Sequence, residues 1–296
     1  MKELEYSIRK MKKKFSMKFS KCIVKMYCFY FLLLILGGTC NAQSIIAKDA
    51  VSSFFIASKI LREKYKVIVV LPESYKTSNK NYPIVYILDG EYYSTYTAEA
   101  SSLLAQSQLT PECIIIGICT NNRNRDFSPS LDQESGQTQD IHTAGGGDQF
   151  LEYIEKELIS TIVKRYRTQD YKVIIGHSTG GLLAYYSLYK KPGLFQGIIA
   201  IDASTWWNKG KVGKEIIDYL DKAPSALAKL YECRKDLKIP VRFPANTELL
   251  NYLDKSRPKG LEYKYLELKN ETHGTIVFPC IYHGLKYLFN HYIPVK

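Results

Sequence analysis

The chain has 296 residues, of which 46% are hydrophobic and 24% are charged. This length and composition allow one α/β domain with a full core, and they exclude a disordered chain, a collagen and a repeat array. Residues 1–42 carry nine Lys/Arg and two Asp/Glu, so removing that excess of seven from the net charge of +12 leaves +5. We find no clustered Lys/Arg stripe in the rest of the sequence, and we predict no nucleic-acid partner.

Residues 1–42 have the pattern of a secretory signal peptide. Lysines precede an apolar run at residues 27–36, and small residues follow at residues 37–42. The run is short for a membrane span, so we expect cleavage after Ala42 and no stable membrane insertion afterwards. The alternatives are a lipid anchor on Cys40 and an uncleaved membrane anchor, and Met17 is a second candidate start. We therefore predict a signal peptide over residues 1–42 and one exported domain, periplasmic or secreted, over residues 43–296.

Four cysteines follow the predicted cleavage site, namely Cys113, Cys119, Cys233 and Cys280. They form no C-x-x-C pair and no cluster with histidines, so the sequence predicts neither a zinc site nor any other metal or cofactor. Cys113 and Cys119 lie in an apolar run and are interpreted as buried small hydrophobic residues. Export permits a disulfide, but the sequence alone does not assign the pair.

Short apolar segments alternate with longer helical patterns beyond residue 64. Strands are predicted over residues 65–71, 83–88, 112–119, 171–175, 197–201, 228–233 and 261–268. Helices are predicted over residues 148–165, 178–191, 247–255 and 278–292. Most of these strands are apolar throughout, as strands buried on both faces are, whereas residues 261–268 alternate as an edge strand does. The order predicts an α/β fold with a mainly parallel sheet and helices on both faces.

The sharpest chemical signal is the segment GHSTG at residues 176–180. It follows the strand at residues 171–175 and opens a helix. A serine between glycines in this context is typical of the nucleophile elbow of α/β-hydrolases, in which the helix N-terminus favours a developing oxyanion. The alternative is a glycine-rich turn with an incidental serine. The context favours Ser178 as a nucleophile.

His273 is the predicted general base. It lies in a loop after the strand at residues 261–268. In α/β-hydrolases the residues of the triad follow the order serine, acid, histidine, with the histidine in a loop after the last strand. The other four histidines lie in the elbow, in a polar loop and in the last predicted helix. His273 alone fits this order.

The acid of the triad is expected after the strand that precedes the histidine-bearing one, at residues 228–233. Asp236 lies just beyond that strand and is the predicted acid, with Glu232 and Glu248 as the other candidates. A Ser-His dyad is a further alternative, because the third member only orients the imidazole and stabilises its charge.

Two backbone N–H groups are predicted to form the oxyanion hole. One belongs to Thr179, the residue after the nucleophile. The other belongs to Glu91, in the loop after the strand at residues 83–88. Gly90 gives that loop its conformational freedom.

Four side chains are candidates for substrate binding. Trp206 and Trp207 follow the strand at residues 197–201, where they either stack on an aryl group or anchor the loop to the core. Arg123 and Arg125 follow the strand at residues 112–119, at the edge of the sheet where ligands bind. They bind an anionic substrate, or Arg125 braces the loop by pairing with Asp126.

Several segments together resemble the putative esterase family, which includes enterochelin (siderophore) esterases, feruloyl and acetyl-xylan esterases, S-formylglutathione hydrolases and mycolyltransferases. The similar segments are YPIVYILDGE at residues 82–91, NRDFSP at 124–129, GGDQF at 146–150, ETHG at 271–274 and YHGL at 282–285. The resemblance covers residues 45–293 and implies an α/β-hydrolase fold and esterase activity. Residues 203–207 depart from the P-S-x-W-W common in the family, and residues 233–246, where the acid is expected, match poorly.

The residues and the resemblance together predict an exported serine esterase that acts through an acyl-enzyme. The resemblance implies siderophore-type esters, or aryl or acetyl esters of sugars, so the expected partner is a small-molecule or carbohydrate ester. Two alternatives stay open. The same residues would serve an acyltransferase that uses a sugar or lipid hydroxyl in place of water, and the fold would also serve a non-catalytic binding protein.

Overall fold

The computed structural model describes residues 11, 50–131, 143–222, 228–235, 244–290 and 292, with residues 244–246 described by their backbone only. Met11 apart, the predicted signal peptide lies outside the described residues and stays a prediction. Within the described part of the chain, no helix combines the length and the apolar character needed to cross a membrane.

One sheet of eight strands forms the centre of the described structure, in the order β1-β2-β4-β3-β5-β6-β7-β8. The strands are β1 (Val51–Ala57), β2 (Lys64–Val70), β3 (Tyr82–Leu88), β4 (Ile114–Ile118), β5 (Thr168–His177), β6 (Gly197–Ile201), β7 (Ala228–Lys235) and β8 (Leu261–Leu268). Strands β3 to β8 are parallel, whereas β1 and β2 pair antiparallel with their neighbours. The predicted mainly parallel sheet is confirmed, and β8 is an edge strand as the alternating pattern indicated.

Helices connect the parallel strands. They are α1 (Gly90–Gln106), α2 (Arg123–Phe127), α3, α4 (Thr179–Lys190), α5 (Trp207–Lys222), α6 (Pro244–Lys255) and α7 (Val277–Leu288). Helix α3 consists of Gly147–Tyr153 and Ser160–Arg165, joined by the π-helical segment Ile154–Ile159. The predicted helices correspond to α3, α4, α6 and α7, whereas α1, α2 and α5 are additional.

Apolar side chains are buried on both faces of the sheet. Every residue of β3, β4 and β6 is buried. Successive side chains of a strand point to opposite faces, so Tyr86 of β3 belongs to the core under α3 to α6, and its neighbour Val85 belongs to the core under α1 and α7. This two-sided core fixes the strands, and with them the loops at their carboxyl ends.

A disulfide joins Cys233 in β7 to Cys280 in α7, with their Cα atoms 6.0 Å apart. It attaches the helix that follows the His273 loop to a strand of the sheet. Cys113 and Cys119 are free and buried, which confirms their interpretation as core residues.

Candidate active site

Ser178 occupies the turn between β5 and α4 in a strained backbone conformation, with φ 58° and ψ −117°. A non-glycine residue rarely adopts a positive φ, so the surrounding structure must impose it. The Ser178 N–H donates to the carbonyl of Ile201 at 2.9 Å, and the Ser178 carbonyl accepts from the N–H of Leu182 at 3.0 Å. The conformation and its context are those of a nucleophile elbow.

Close backbone contacts explain the small residues around Ser178. A Cβ on Gly176 would lie 2.1 Å from the carbonyl oxygen of Gly180, and a Cβ on Gly181 would lie 2.9 Å from the Cβ of Ala203. A Cβ on Gly180 would meet its nearest atom at an ordinary 3.5 Å. The turn therefore requires glycine at positions 176 and 181, whereas the sequence pattern pointed to 176 and 180.

His273 is paired with a carboxylate. Its Nδ1 lies 2.6 Å from Oδ2 of Asp202, whose side chain is 11% exposed. Burial alone would raise the pKa of Asp202, but the hydrogen bond from His273 and the positive charges of His273, Arg234 and Lys235 together lower it. An ionised Asp202 holds a proton on Nδ1, which leaves Nε2 of the ring to accept a proton.

Asp202, the residue whose carboxylate bonds to His273, follows β6, whereas we expected the acid after β7. Asp236 lies outside the described residues. Glu232 is fully buried and is bonded to Arg234, Tyr185 and Tyr263. Glu248 is exposed on α6. In the described part of the chain, Asp202 is the carboxylate in contact with the imidazole. Its sequence signal was its place directly after a buried parallel strand, at the same edge of the sheet as Ser178.

Backbone contacts bring Ser178 beside the Asp202–His273 pair. Ser178 bonds through its N–H to Ile201, which precedes Asp202, and its carbonyl accepts from the N–H of Ser204 at 3.0 Å. The Ser178 and Ser204 hydroxyl oxygens lie 3.4 Å apart. The predicted nucleophile and base are thus collected at the carboxyl ends of β5, β6 and β8.

The predicted oxyanion donors begin two helices. Thr179 is the first residue of α4, and Glu91 is the second residue of α1. The intrahelical bonds of α1 start with the N–H groups of Tyr92 and Tyr93, which donate to Asp89, so the N–H of Glu91 precedes them. Both N–H groups lie at positive ends of helix dipoles, where a developing negative charge is stabilised.

Arg123 joins the two segments that carry these donors. Its Nε and Nη2 donate to the carboxylate of Asp89 at 2.8 and 3.1 Å, and Nη2 also donates to the carbonyl of His177 at 2.9 Å. Burial raises the pKa of Asp89, and the bonds from Arg123 oppose that rise. Arg123, which was predicted to bind substrate, therefore has a structural role, because it connects Asp89 before α1 to His177 before Ser178.

Arg125 braces its own loop. Its guanidinium donates to Glu63 at 2.6 Å, to Asp126 at 2.8 Å and to the Tyr65 hydroxyl at 2.6 Å. These contacts use Nε, Nη1 and Nη2, so they match the bracing alternative for Arg125 and not the substrate-binding one.

Trp207 anchors the segment after β6. Its Nε1 donates to the carbonyl of Pro129 at 3.2 Å, which ties this segment to the loop after α2. Trp206 is half-buried, with its ring centroid 6.3 Å from that of Trp207. The contact favours the anchoring interpretation for Trp207.

His177 lies between α1 and the His273 loop. Its ring centroid is 4.4 Å from that of His273 and 6.3 Å from that of Tyr93. Burial, followed by repulsion from the charge of His273, lowers the pKa of His177 to about 4. Near neutral pH, an uncharged His177 ring therefore lies against the ring of the predicted base, His273.

The residues gathered at this site are those that a serine nucleophile would use. Within the described ranges, no group of three or more His, Cys, Asp or Glu side chains is arranged to hold a metal ion. A serine in an elbow, an Asp-paired histidine and two helix N-termini are instead the parts used in acyl transfer.

Comparisons with known proteins agree with this geometry. The family model described as "Putative esterase" matches residues 58–257. The chain is 31% identical over 162 residues to the siderophore triacetylfusarinine C esterase of Aspergillus fumigatus, which is 49% of this chain and 53% of that protein. It is 30% identical over 142 residues to the protein YbbA of Bacillus subtilis, which is 46% of this chain and 56% of that protein. The chain thus spans about half the length of these two curated relatives.

A solved structure extends the similarity to most of the chain. The crystal structure of an IroE-like serine hydrolase from Shewanella oneidensis matches with a TM-score of 0.75 and 30% sequence identity. The match covers 83% of this chain and 82% of that one. It confirms the predicted fold class, an α/β-hydrolase fold.

Removing the Arg123 bridge should slow acylation without weakening the binding of a neutral substrate. We expect Arg123→Met to lower the rate of Ser178 acylation by a neutral activated ester by roughly 10- to 100-fold, because small misplacements of catalytic donors cost rates of this order. The measurement is kcat and KM for p-nitrophenyl acetate, with Arg123→Lys as the charge-conserving comparison. A rise in KM confined to anionic esters would show that Arg123 binds substrate instead.

His177 should make the folded state sensitive to acid. The unfolded chain takes up a proton at this histidine near pH 6.5, whereas the folded chain does so near pH 4, so the stability it contributes is complete above pH 6.5 and is lost as the pH falls towards 4. Between pH 7 and pH 4, the free energy of unfolding should fall by about 3 kcal/mol less in His177→Gln than in the wild type. Urea titrations at several pH values test this, with the exposed His283→Gln as control. Equal acid losses in all three proteins would contradict it.

Proposed function

Because the chain belongs to the putative esterase family, we propose that it is a serine esterase that hydrolyses carboxylic esters through an acyl-enzyme. One observation carries the proposal, namely the strained Ser178 beside the hydrogen-bonded pair of His273 and Asp202. A surface histidine has no need of a largely buried carboxylate at 2.6 Å, whereas a general base does, because the carboxylate orients the ring and stabilises its charged form.

The reaction begins when the Ser178 hydroxyl attacks the ester carbonyl carbon. His273 accepts the hydroxyl proton on Nε2, while Nδ1–H stays bonded to Asp202. The carbonyl oxygen becomes an oxyanion, and the N–H groups of Thr179 and Glu91 are the donors proposed to stabilise it. The positive charge on the imidazolium is balanced by the ionised Asp202.

Collapse of the tetrahedral intermediate then releases the alcohol. The imidazolium of His273 gives its proton to the leaving oxygen, and the acyl group remains on Ser178. A water molecule, deprotonated by the same imidazole, attacks the acyl carbon. The bond between that carbon and Oγ of Ser178 then breaks, the imidazolium returns its proton to Oγ, and the acid is released. Each proton taken up by His273 is thus returned within the same half of the cycle.

We propose siderophore-type esters as the substrate class. The Aspergillus fumigatus relative is named as a siderophore esterase, which supports this choice. Aryl or acetyl esters of sugars are the alternative, and an acceptor hydroxyl in place of water would make the reaction an acyl transfer. Product analysis with and without an added sugar acceptor distinguishes hydrolysis from transfer.

Substitution of the three reacting residues tests the catalytic assignment. We expect Ser178→Ala and His273→Ala each to abolish turnover of a short-chain aryl ester, and their double variant to be little worse, because the residues act as a unit. Asp202→Asn should reduce kcat by about 10⁴, in line with the worked serine-protease case. The measurement is steady-state turnover beside circular dichroism of each folded variant.

Asp236→Asn is the matched control for the acid, since Asp236 is the acid predicted from the sequence. It should cost less than about tenfold, because Asp202 already occupies the position of the acid on His273. A large loss in Asp236→Asn together with near-normal turnover in Asp202→Asn would reverse the assignment. Small losses in both would favour a Ser-His dyad.

We also propose that the protein is exported. The basic, apolar and small-residue order of residues 1–42 supports this, and so does the Cys233–Cys280 disulfide, because disulfides persist in oxidising compartments.

The exported form should begin at Gln43. Terminal sequencing of protein recovered from the periplasm or the medium measures this directly. Cys40→Ser should leave processing unchanged, because a cut after Ala42 does not use the thiol, whereas a lipid anchor on Cys40 would require it. A recovered protein that still contains residues 27–36 would contradict cleavage.

A further inference from the structure

Three aromatic side chains form a surface patch beside the active site, which we call the aromatic platform: Tyr92 and Tyr96 of α1 and Phe278 of α7. Tyr92 is 75% exposed and Phe278 is 42% exposed. The rings of Tyr96 and Phe278 meet edge to face with centroids 4.8 Å apart, and the Tyr96 hydroxyl donates to the carbonyl of Phe278 at 2.8 Å. Tyr92 and Tyr96 are four residues apart on one helix, so they share a face.

The aromatic platform is continuous with the catalytic imidazole. From Tyr92 the ring of Tyr93 is 6.3 Å away, His177 follows at 6.3 Å, and His273 follows at 4.4 Å. These ring contacts run from the exposed Tyr92 through the half-buried Tyr93 and the buried His177 to the predicted base. An apolar patch that reaches the reacting groups of a site is more readily explained by a ligand than by chance exposure.

The platform also lies next to both catalytic loops in the sequence. Tyr92 directly follows Glu91, a predicted oxyanion donor, and Phe278 is the second residue of α7, five residues after His273. The Tyr96–Phe278 contact therefore joins the second turn of α1 to the first turn of α7. A group held on the platform would be fixed relative to the oxyanion donor and the base together.

The chemistry of acyl transfer assigns the platform to one side of the substrate. The imidazole that deprotonates Ser178 also protonates the leaving oxygen, so the alcohol portion of the ester must lie against His273. The platform adjoins the segment that carries His273, because Phe278 follows His273 by five residues, and it is consequently placed on the leaving-group side. The half-buried Trp206 and Trp207 belong to the segment after β6, which is a separate element.

We propose that Tyr92, Tyr96 and Phe278 form a subsite for an aromatic ring on the alcohol portion of the ester. The inference rests on the proposed esterase function. Aromatic rings prefer edge-to-face and offset contacts with other aromatic rings, and the platform offers the flat faces and edges of three. Aliphatic alcohols of similar size gain the apolar burial but lose the ring-to-ring contacts, so the subsite selects for an aryl group.

Three small esters test the subsite because they place the ring on different sides of the scissile bond. Benzyl acetate carries it on the alcohol, ethyl phenylacetate carries it on the acyl group, and ethyl acetate lacks it. We expect Tyr92→Ala and Phe278→Ala each to lower the ratio of kcat/KM for benzyl acetate to that for ethyl acetate about fivefold. The ratio for ethyl phenylacetate should stay as in the wild type. Each ratio is taken within one variant, so a loss of folded protein cancels.

Matched substitutions complete the experiment. Phe55→Ala removes an aromatic side chain that is 63% exposed on the edge strand β1, outside the aromatic platform, and should move neither ratio. Tyr92→Phe keeps the ring and should keep the benzyl acetate ratio. Unchanged benzyl acetate ratios in both alanine variants, or a fall in the ethyl phenylacetate ratio instead, would overturn the subsite alone. A wild-type protein that hydrolyses none of the esters would overturn the proposed function and the subsite with it.

Discussion

The close approach of β5 and α4 at Ser178 is the constraint on which the rest of the site depends. Backbone contacts leave no room for a Cβ at Gly176 or Gly181, and Ser178 is held at a positive φ. This conformation places Ser178 beyond the end of β5, where its main chain bonds to Ile201 before Asp202 and to Ser204 after it. A looser turn would separate the nucleophile from the segment after β6 and from the imidazole that this segment orients.

Asp89, Glu232 and Asp202 show how one protein assigns different tasks to carboxylates that are largely removed from solvent. Asp89 is neutralised by Arg123 and fixes the N-terminus of α1. Glu232 is paired with Arg234, whose guanidinium also bonds to the carbonyl of Ala203 and the hydroxyl of Thr205. These pairs hold the loops, because removing either partner would leave a buried charge unpaired. Asp202 is instead paired with the imidazole of His273, a group that can accept and release a proton, so it is the acid placed to assist proton transfer.

The sequence was informative where local pattern decides the structure. Apolar strands, the elbow around Ser178 and the placement of His273 follow from short segments and were found. Strand β1 is exposed along most of its length and α1 mixes tyrosines with polar and small residues in its first turns, so neither has the periodicity that indicates a buried element. The sequence did not indicate Asp202, because β7 lies between β6, which precedes Asp202, and β8, which precedes His273. A contact between two loops across the strand that separates them is decided by the tertiary structure.

The Cys233–Cys280 disulfide also links the segments that carry Asp202 and His273. The N–H of Asp202 donates to the carbonyl of Cys233 at 2.7 Å, and Cys233 is covalently joined to α7, the helix that follows His273. Asp202 and His273, which are 71 residues apart, are therefore both connected to Cys233 near the end of β7. Closing a loop of 47 residues constrains the unfolded chain by roughly 4 kcal/mol in the chain-entropy model. The crosslink also joins β7, which bonds to the N–H of Asp202, to α7, so it limits how far these two segments can separate in the folded protein.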